Sequence, residues 1–261
     1  MNVIATDLDR TLIPNGDFKE DKKSMNEFKE LLKKNKILLI YVTGRPLYLV
    51  EDAMKRYKLP VPCYVISMVG SKIYEIKKGK FIEMNSWNEL LHKKCKRFDN
   101  SEIRNALKNI KGIKMQTEAF QNEFKVSYNL SDKRNVSLIK DELAKLRITY
   151  NLIESYDTQR KLYMIDILHR GVSKRFALFF ILKKLGVRNK DVLYSGDSGN
   201  DIDLILSGKN YGVLVGNATG QVKKEVSLGI KKKNLREKVF IASRNYVLGI
   251  IEGAQKFGFF D

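Results

Sequence analysis

The apolar residues of this chain fall into short unbroken runs, separated by stretches of helical period. The run Val3-Ile4-Ala5 leads into Thr6-Asp7-Leu8-Asp9-Arg10-Thr11. A strand buried on both faces needs no alternation, so this run reads as a buried parallel strand. Between about 21 and 35, Met25, Phe28, Leu31 and Leu32 recur at helical spacing. Residues 36–42 (KILLIYV) form a second buried run that ends at Thr43-Gly44-Arg45-Pro46. Pro46 suits the first turn of a helix reaching about Tyr57. A third apolar run, 63–68, precedes Val69-Gly70-Ser71. Strands and helices in this alternation imply a parallel sheet with right-handed crossovers. Pro14-Asn15-Gly16-Asp17 reads as a turn, and 72–76 with 80–84 as a hairpin around Lys77-Lys78-Gly79.

The pattern changes near Asn85. Residues 86–110 are expected to be helical, with Trp87, Leu90, Leu91 and Cys95 as the inner face. A short strand is expected at 113–116. In 124–130 the apolar Phe124, Val126, Tyr128 and Leu130 alternate with Lys125, Ser127 and Asn129, the mark of a half-buried strand. An amphipathic helix at 134–146 and strands at 148–153 and 162–168 complete the block, as one sheet covered by helices on one side. From Gly171 the first rhythm returns. Ser173 can cap a helix that runs to Leu185 and closes at Gly186. Residues 191–195 are a strand ending at Gly196-Asp197-Ser198-Gly199-Asn200-Asp201, where another helix begins. Residues 211–215 form a strand before Gly216-Asn217-Ala218, and a last helix covers 244–255. The expected architecture is α/β: a parallel-sheet core, 1–84 and 167–261, interrupted by an inserted α/β unit, 85–166.

Composition narrows the class. A chain of 261 residues with 43% hydrophobic content can bury a sizeable core, and only four Pro argue against disorder. No apolar run reaches the length of a membrane span, and no secretory signal is visible. Cys63 and Cys95 lack CxxC spacing, so buried structural roles and a reducing cytoplasm are expected. The net charge of +19 has two readings, nucleic-acid binding or a lysine-rich surface that attracts small anions. The lysines are scattered in pairs such as Lys22-Lys23, Lys33-Lys34 and Lys183-Lys184. The triplet Lys231-Lys232-Lys233 is expected near loop sequence. No zinc-finger spacing or aromatic ribonucleoprotein motif accompanies them, so nucleic acid is the weaker reading.

Four features stand at expected strand ends or helix starts: Asp7 with Asp9, Thr43, Lys174, and Asp197 with Asn200-Asp201. The carboxyl edge of an open α/β sheet is where such folds bind ligands. Two carboxylates at i and i+2 are costly to crowd together unless a cation, a proton or a substrate separates them. A carboxylate can attack phosphorus, and a second acid can protonate the leaving oxygen and then activate water. Mg²⁺ prefers oxygen ligands, which Asp7, the backbone carbonyl of Asp9 and Asp197 could supply. The metal and Lys174 would offset the charge of a phosphate, and Thr43 could hydrogen-bond it. Each feature also has a plain explanation: Asp201 as a helix cap, Lys174 as a surface lysine, Thr43 as strand-end packing.

In this order, DLDRT (7–11), VTGR (42–45), a lysine opening a late helix, and GDSGND (196–201) resemble the four motifs of the haloacid dehalogenase superfamily of phosphatases. The resemblance covers the whole chain, and the inserted block resembles that superfamily's larger α/β cap on a Rossmann-like core. ISMVGSKIYE (66–75), Trp87, KVSY (125–128), GDSGNDIDL (196–204), GVLVGNA (212–218) and GIIEGAQKFGF (249–259) are similar to the sucrose-phosphatase-like branch. The resemblance implies that Asp7 is the nucleophile and Asp9 the general acid and base. It assigns Thr43, Gly44, Lys174 and Asn200 to the phosphoryl group, and Asp7, Asp9, Asp197 and Asp201 to Mg²⁺, with Asp201 behind the metal's water shell or Lys174. Two departures stand out. Arg10 occupies a position where relatives often carry Gly or Asn, which tolerate left-handed backbone better. Arg175 follows the lysine where relatives often have Gly.

Substrate choice is expected from the cap. Lys125 and Ser127 share one face of their strand and could bind sugar hydroxyls if that face looks into the cleft; an ordinary solvated face is the alternative. Arg45, Ser71 and Asp166 are further candidates at strand ends near the hinges. His92 and His169 lack ligand spacing. The expected activity is Mg²⁺-dependent hydrolysis of a phosphorylated sugar or sugar conjugate, of the sucrose 6-phosphate kind, through an aspartyl-phosphate. The alternatives are a phosphatase for mannosylglycerate or glucosylglycerate phosphates, a phosphomutase, or a non-catalytic partner of a sugar-phosphate synthase.

Overall fold

The computed structural model describes residues 1–14, 21–157 and 161–260, so 15–17 of the expected turn lie outside the described residues. Strands β1 (Val3–Thr6), β2 (Leu38–Val42) and β3 (Tyr64–Ser67) run parallel. Next to β3, β4 (Lys72–Lys77) and β5 (Lys80–Glu83) form an antiparallel hairpin at the sheet edge. A second sheet is antiparallel throughout and contains β6 (Ile113–Met115), β7 (Lys125–Leu130), β8 (Tyr150–Asp157) and β9 (Leu162–His169), in the order β6-β7-β9-β8. The chain then returns to the first sheet through β10 (Val192–Gly196), β11 (Tyr211–Leu214) and β12 (Val239–Ile241). The larger sheet therefore reads β12-β11-β10-β1-β2-β3-β4-β5, with β1 between β10 and β2. Thr6 pairs with Ser195 on one side and Tyr41 on the other, so the carboxyl ends of these three strands lie together.

Strand period two decides which residues meet which helices. Val3, Ala5, Ile40, Val42, Tyr194 and Leu214 face one layer, made by α3 (Asn85–Lys94), α6 (Lys174–Lys184), α7 (Ile202–Ile205) and α8 (Gly220–Lys233). Ile4, Leu39, Tyr41, Val65, Leu193 and Val213 face the opposite layer of α1 (Lys22–Lys34), α2 (Leu47–Arg56) and α9 (Tyr246–Lys256). The smaller sheet packs Val126, Tyr128, Leu130, Ile165 and Ile167 against α4 (Asn100–Leu107) and α5 (Asn135–Lys145).

Several expectations change. The helix expected over 86–110 is two helices, α3 and α4, because Asp99 starts a new one by accepting from the Ser101 amide. Trp87 and Leu91 of α3 pack with the larger sheet, and the indole lies 5.1 and 4.9 Å from the rings of Phe176 and Phe180. Helix α8 and strand β12 were not expected. Lys231-Lys232-Lys233 form the last turn of α8 rather than loop, where positive charge complements the helix dipole. The Lys125 and Ser127 face of β7 is buried, not solvated.

One strained segment ties the layers together. Met68, Val69 and Gly70 follow β3 with φ of 50, 61 and 95°, three left-handed residues in succession. A side chain at Gly70 would meet the Ser173 carbonyl at 2.4 Å, so only glycine lets this knuckle touch the start of α6. The Val69 amide donates to Thr43 O at 3.0 Å, and Asn122, which precedes β7, donates to Ser71 Oγ at 2.8 Å. The knuckle thus contacts the end of β2, the Lys174 helix and the smaller unit at once.

Candidate active site

Asp7 follows the central strand directly, and its amide donates to Ser195 O at 2.9 Å, which fixes the backbone at the strand end. Ser173 caps α6 by accepting from the Phe176 amide at 3.1 Å, and this capped start points Lys174 at the strand ends. Lys174 Nζ donates to Asp7 Oδ1 at 2.9 Å, Asp201 Oδ1 at 2.8 Å and Asn200 Oδ1 at 3.0 Å. Asp201 is enclosed by donors. Its Oδ1 also accepts from Tyr194 Oη, and its Oδ2 from the amides of Asp197 and Ser198 and from Ser198 Oγ. Asp201 therefore does cap its turn, and it holds Lys174 as well.

Electrostatics mark this cluster. Burial pushes the Asp7 carboxyl well above its ordinary range; Lys174 opposes this, and Asp201, Asp9 and Asp197 add to it. Asp197 is pushed up to about 7, by burial first and Asp201 second, with Arg10 and Lys174 opposing. Burial works against the Lys174 ammonium, but Asp201 and Asp7 outweigh it and hold the group above its ordinary value. Carboxylate oxygens of Asp7, Asp197 and Asp201 come within 4.8 Å of one another, all buried. An all-oxygen donor set with more acids than nearby cations fits a hard divalent ion.

Thr43 is buried at the end of β2; its amide donates to Ile66 O and its hydroxyl accepts from the Arg45 amide at 3.2 Å. Arg45 turns back across the site. Its Nε and Nη2 donate to both oxygens of Asp9, with Nε at 2.8 Å from Oδ2, and its Nη1 donates to Leu49 O at 3.1 Å. Arg45, a candidate for substrate contact, grips the second aspartate in this structure. Arg10 Nε lies 3.3 Å from Asp197 Oδ2, and Thr11 Oγ1 donates to Asp197 Oδ1 at 3.4 Å.

A cavity of about 250 Å³ opens beside Lys174 and Asn200, between the start of α6, the Gly199–Asp201 turn and strand β8. Asn151 and Ile153 of β8 line it, as does Arg175, whose Nη1 donates to Asp203 Oδ1 at 2.8 Å. The strand expected at 148–153 covers these positions, but neither stood out as a site residue. Lys125, Ser127 and Asp166 do come together: Asp166 Oδ1 accepts from Lys125 Nζ at 2.8 Å and from Ser127 Oγ at 2.6 Å. Lys125 and Ser127 are buried and Asp166 half-buried, and none of the three is among the residues that line the cavity. Ser71 is buried and hydrogen-bonded to Met68 O and Asn122. Sequence reasoning missed Tyr194 and Asn122, whose polar groups sit inside apolar-looking or loop sequence.

Comparison with known proteins agrees with this geometry. The family model described as sucrose-6F-phosphate phosphohydrolase matches residues 1–258. A mannosylfructose-phosphate phosphatase of Agrobacterium fabrum is 27% identical over 99% of this chain and 97% of its own length. An Arabidopsis thaliana protein described as probable sucrose-phosphatase 3a is 29% identical over 98% of this chain and 59% of its own length. The chain spans 51% to 59% of the length of three such Arabidopsis relatives. The X-ray structure of a sucrose-phosphatase from Synechocystis, in complex with sucrose and phosphate, is similar with a TM-score of 0.82 at 22% identity, covering 98% of each chain. Among the described residues, no helix is long and apolar enough to cross a membrane.

Proposed function

The chain belongs to the sucrose-6F-phosphate phosphohydrolase family, and on that premise we propose that it hydrolyses the phosphate ester of a sugar or sugar conjugate. A disaccharide monophosphate, such as sucrose 6-phosphate or a mannosylfructose phosphate, is the substrate class that its relatives favour. The observation that supports this reading best is Asp7: a buried carboxylate at the end of the central strand, hydrogen-bonded to Lys174 at 2.9 Å among three further acids.

In this reading Asp7 attacks phosphorus through a carboxylate oxygen. The bond from phosphorus to the sugar oxygen breaks, and Asp9 gives that oxygen its proton. Asp9 then takes a proton from water as the water attacks the aspartyl-phosphate, which releases phosphate and restores Asp7. The Thr43 hydroxyl, the Gly44 amide, Lys174 and Asn200 hold the phosphoryl oxygens. Arg45 holds Asp9 through both carboxylate oxygens in the substrate-free protein; for Asp9 to carry the proton one oxygen is released, and the contact to the other keeps that acid aimed. Asp7, Asp197 and the backbone carbonyl of Asp9 would hold Mg²⁺, with Asp201 behind them; the bound ion would neutralise charge shared by the acids and the phosphoryl group.

Residues 85–166 act as the cap, with α3 anchored on the core through Trp87. We assign sugar-hydroxyl binding to Lys125, Ser127 and Asp166, whose groups pair with one another in the substrate-free protein, while Asn151 lines the cavity at Lys174. The test is phosphate release with Mg²⁺ present, across sucrose 6-phosphate, mannosylfructose phosphate, hexose phosphates and phosphates of mannosylglycerate and glucosylglycerate. Release of free phosphate from the disaccharide esters is expected. Turnover of none of these, or return of phosphate to the sugar when a sugar bisphosphate is supplied, would sink the reading.

A further inference from the structure

Arg10 is the residue of the opening motif that hydrolysis does not require. Its backbone is left-handed, with φ of 58°, where an arginine is strained and glycine or asparagine is at ease. Two contacts hold it there. Asn217 Nδ2 donates to the Arg10 carbonyl at 2.6 Å, and Asn217 Oδ1 accepts from the Tyr246 amide at 2.9 Å, so the turn is fastened to the start of α9. In this pose the side chain turns inward. Nε donates to Asp197 Oδ2 at 3.3 Å, and Nη2 reaches Asn217 O at 3.5 Å. The side chain of Asp197 is 6% exposed and that of Arg10 33%, so the guanidinium closes the solvent side of a buried acid. A solvated arginine would need neither the strained backbone nor the clasp.

We infer that Arg10 is a resident counter-ion of Asp197 that competes with the divalent cation for this carboxylate. The inference rests on the reading of Asp7 and Asp197 as cation ligands. Without metal, Arg10 neutralises an acid that burial would otherwise leave costly. When a cation enters, Arg10 must give up Asp197 and its charge opposes the newcomer. Guanidinium suits the task because it is weakly hydrated and leaves water readily. The consequence is a metal site of deliberately moderate affinity. Asn217, within GVLVGNA, is then the residue that positions the competitor.

The test is calorimetric titration of MgCl₂ into the metal-free, substrate-free protein, for wild type, Arg10→Asn and Arg10→Lys. Asparagine tolerates the left-handed turn, and Arg10→Gly repeats the measurement should Arg10→Asn fail to fold. Thermal melting without metal establishes folding in each case. The expected result is Mg²⁺ binding about fivefold tighter in Arg10→Asn, with Arg10→Lys between that variant and wild type. Equal or weaker binding in Arg10→Asn overturns the inference while leaving the metal reading intact. Absence of Mg²⁺ binding in all the variants, with turnover that survives EDTA, overturns both.

Discussion

Two lysines are buried to almost the same degree, Lys174 at 3% exposure in the core and Lys125 at 1% in the smaller unit, yet their surroundings differ in charge. Lys174 donates to two carboxylates and an amide oxygen, with Asp197 and Asp9 close behind. Lys125 meets one carboxylate, Asp166, and shares its oxygen with Ser127. The first cluster is left negative, which invites a metal ion and, through it, a phosphoryl group. The second is balanced, which suits hydrogen bonding to neutral hydroxyls and gives no purchase to phosphate. Under the proposed function, the contrast separates a place for chemistry from a place for recognition.

The sharpest break of that contrast is Asp7→Asn. Turnover of any phosphate ester should fall by about four orders of magnitude or more, because the attacking group is gone. Folding should survive, since a neutral amide replaces a carboxyl whose ionised form burial disfavours. The check is phosphate release together with thermal melting; turnover within tenfold of wild type would remove Asp7 from the nucleophile role.

Next in size is the exchange of the two lysines for methionine. Lys174→Met strands Asp7 and Asp201 without their shared cation, and should cost about 3 kcal/mol of stability by denaturant titration as well as most of kcat. Lys125→Met strands one carboxylate. Its main effect should be a KM about tenfold higher for the sugar ester, with kcat nearly kept. If Lys125→Met instead lowers kcat and leaves KM alone, the smaller unit is not a recognition site.

Much of this contrast was legible in the sequence, and the reason is local. Asp7, Thr43 and Asp197 each follow an apolar strand run directly, and the parallel register that unites them is forced by the α/β alternation. Lys174 follows a cap residue, which marks a helix start. What was not legible depends on contacts between distant segments. Arg45 stood as a substrate candidate at a strand end, and nothing local pointed to its partner Asp9, 36 positions away. Lys125 and Ser127 alternate as a solvated face would, yet Gln121 and Phe120 cover Ser127. Trp87 read as the inner face of the inserted unit, but it packs on Phe176 and Phe180 of the core. Helix α8 has a lysine-rich end, a glycine at its start and Gly229 among its few apolar residues, so its period was hidden.

A finer cut within the core concerns Arg45. If it aims Asp9, then Arg45→Ala should slow esters with poor leaving groups more than those with good ones. Sugar alkoxides need a proton as they leave, whereas p-nitrophenolate does not. The expected loss in kcat is about a hundredfold for the sugar ester and about tenfold or less for p-nitrophenyl phosphate. Equal losses would mean that Arg45 serves binding or packing, and Arg45→Lys should restore little because the two-oxygen grip needs a guanidinium.

The smallest effect is in stability, and it follows from Asp197. Burial raises this carboxyl from an ordinary 3.8 to about 7, so the metal-free folded protein holds a proton there that the unfolded chain releases. That contribution to stability is complete below 3.8 and is lost as pH climbs through about 7. Over the same window the ionised acid becomes a better ligand. The gain in melting temperature from saturating Mg²⁺ should therefore be larger at about pH 7.5 than at about pH 5.5. A smaller trend, from Asp7 alone, is expected in Asp197→Asn. The smaller unit is a control inside the same molecule, since the Lys125 and Asp166 pair carries no surplus charge for Mg²⁺ to meet. A gain that stays flat across the window, or that is undiminished in Asp197→Asn, would mean that Mg²⁺ is not held by Asp197 at the end of β10.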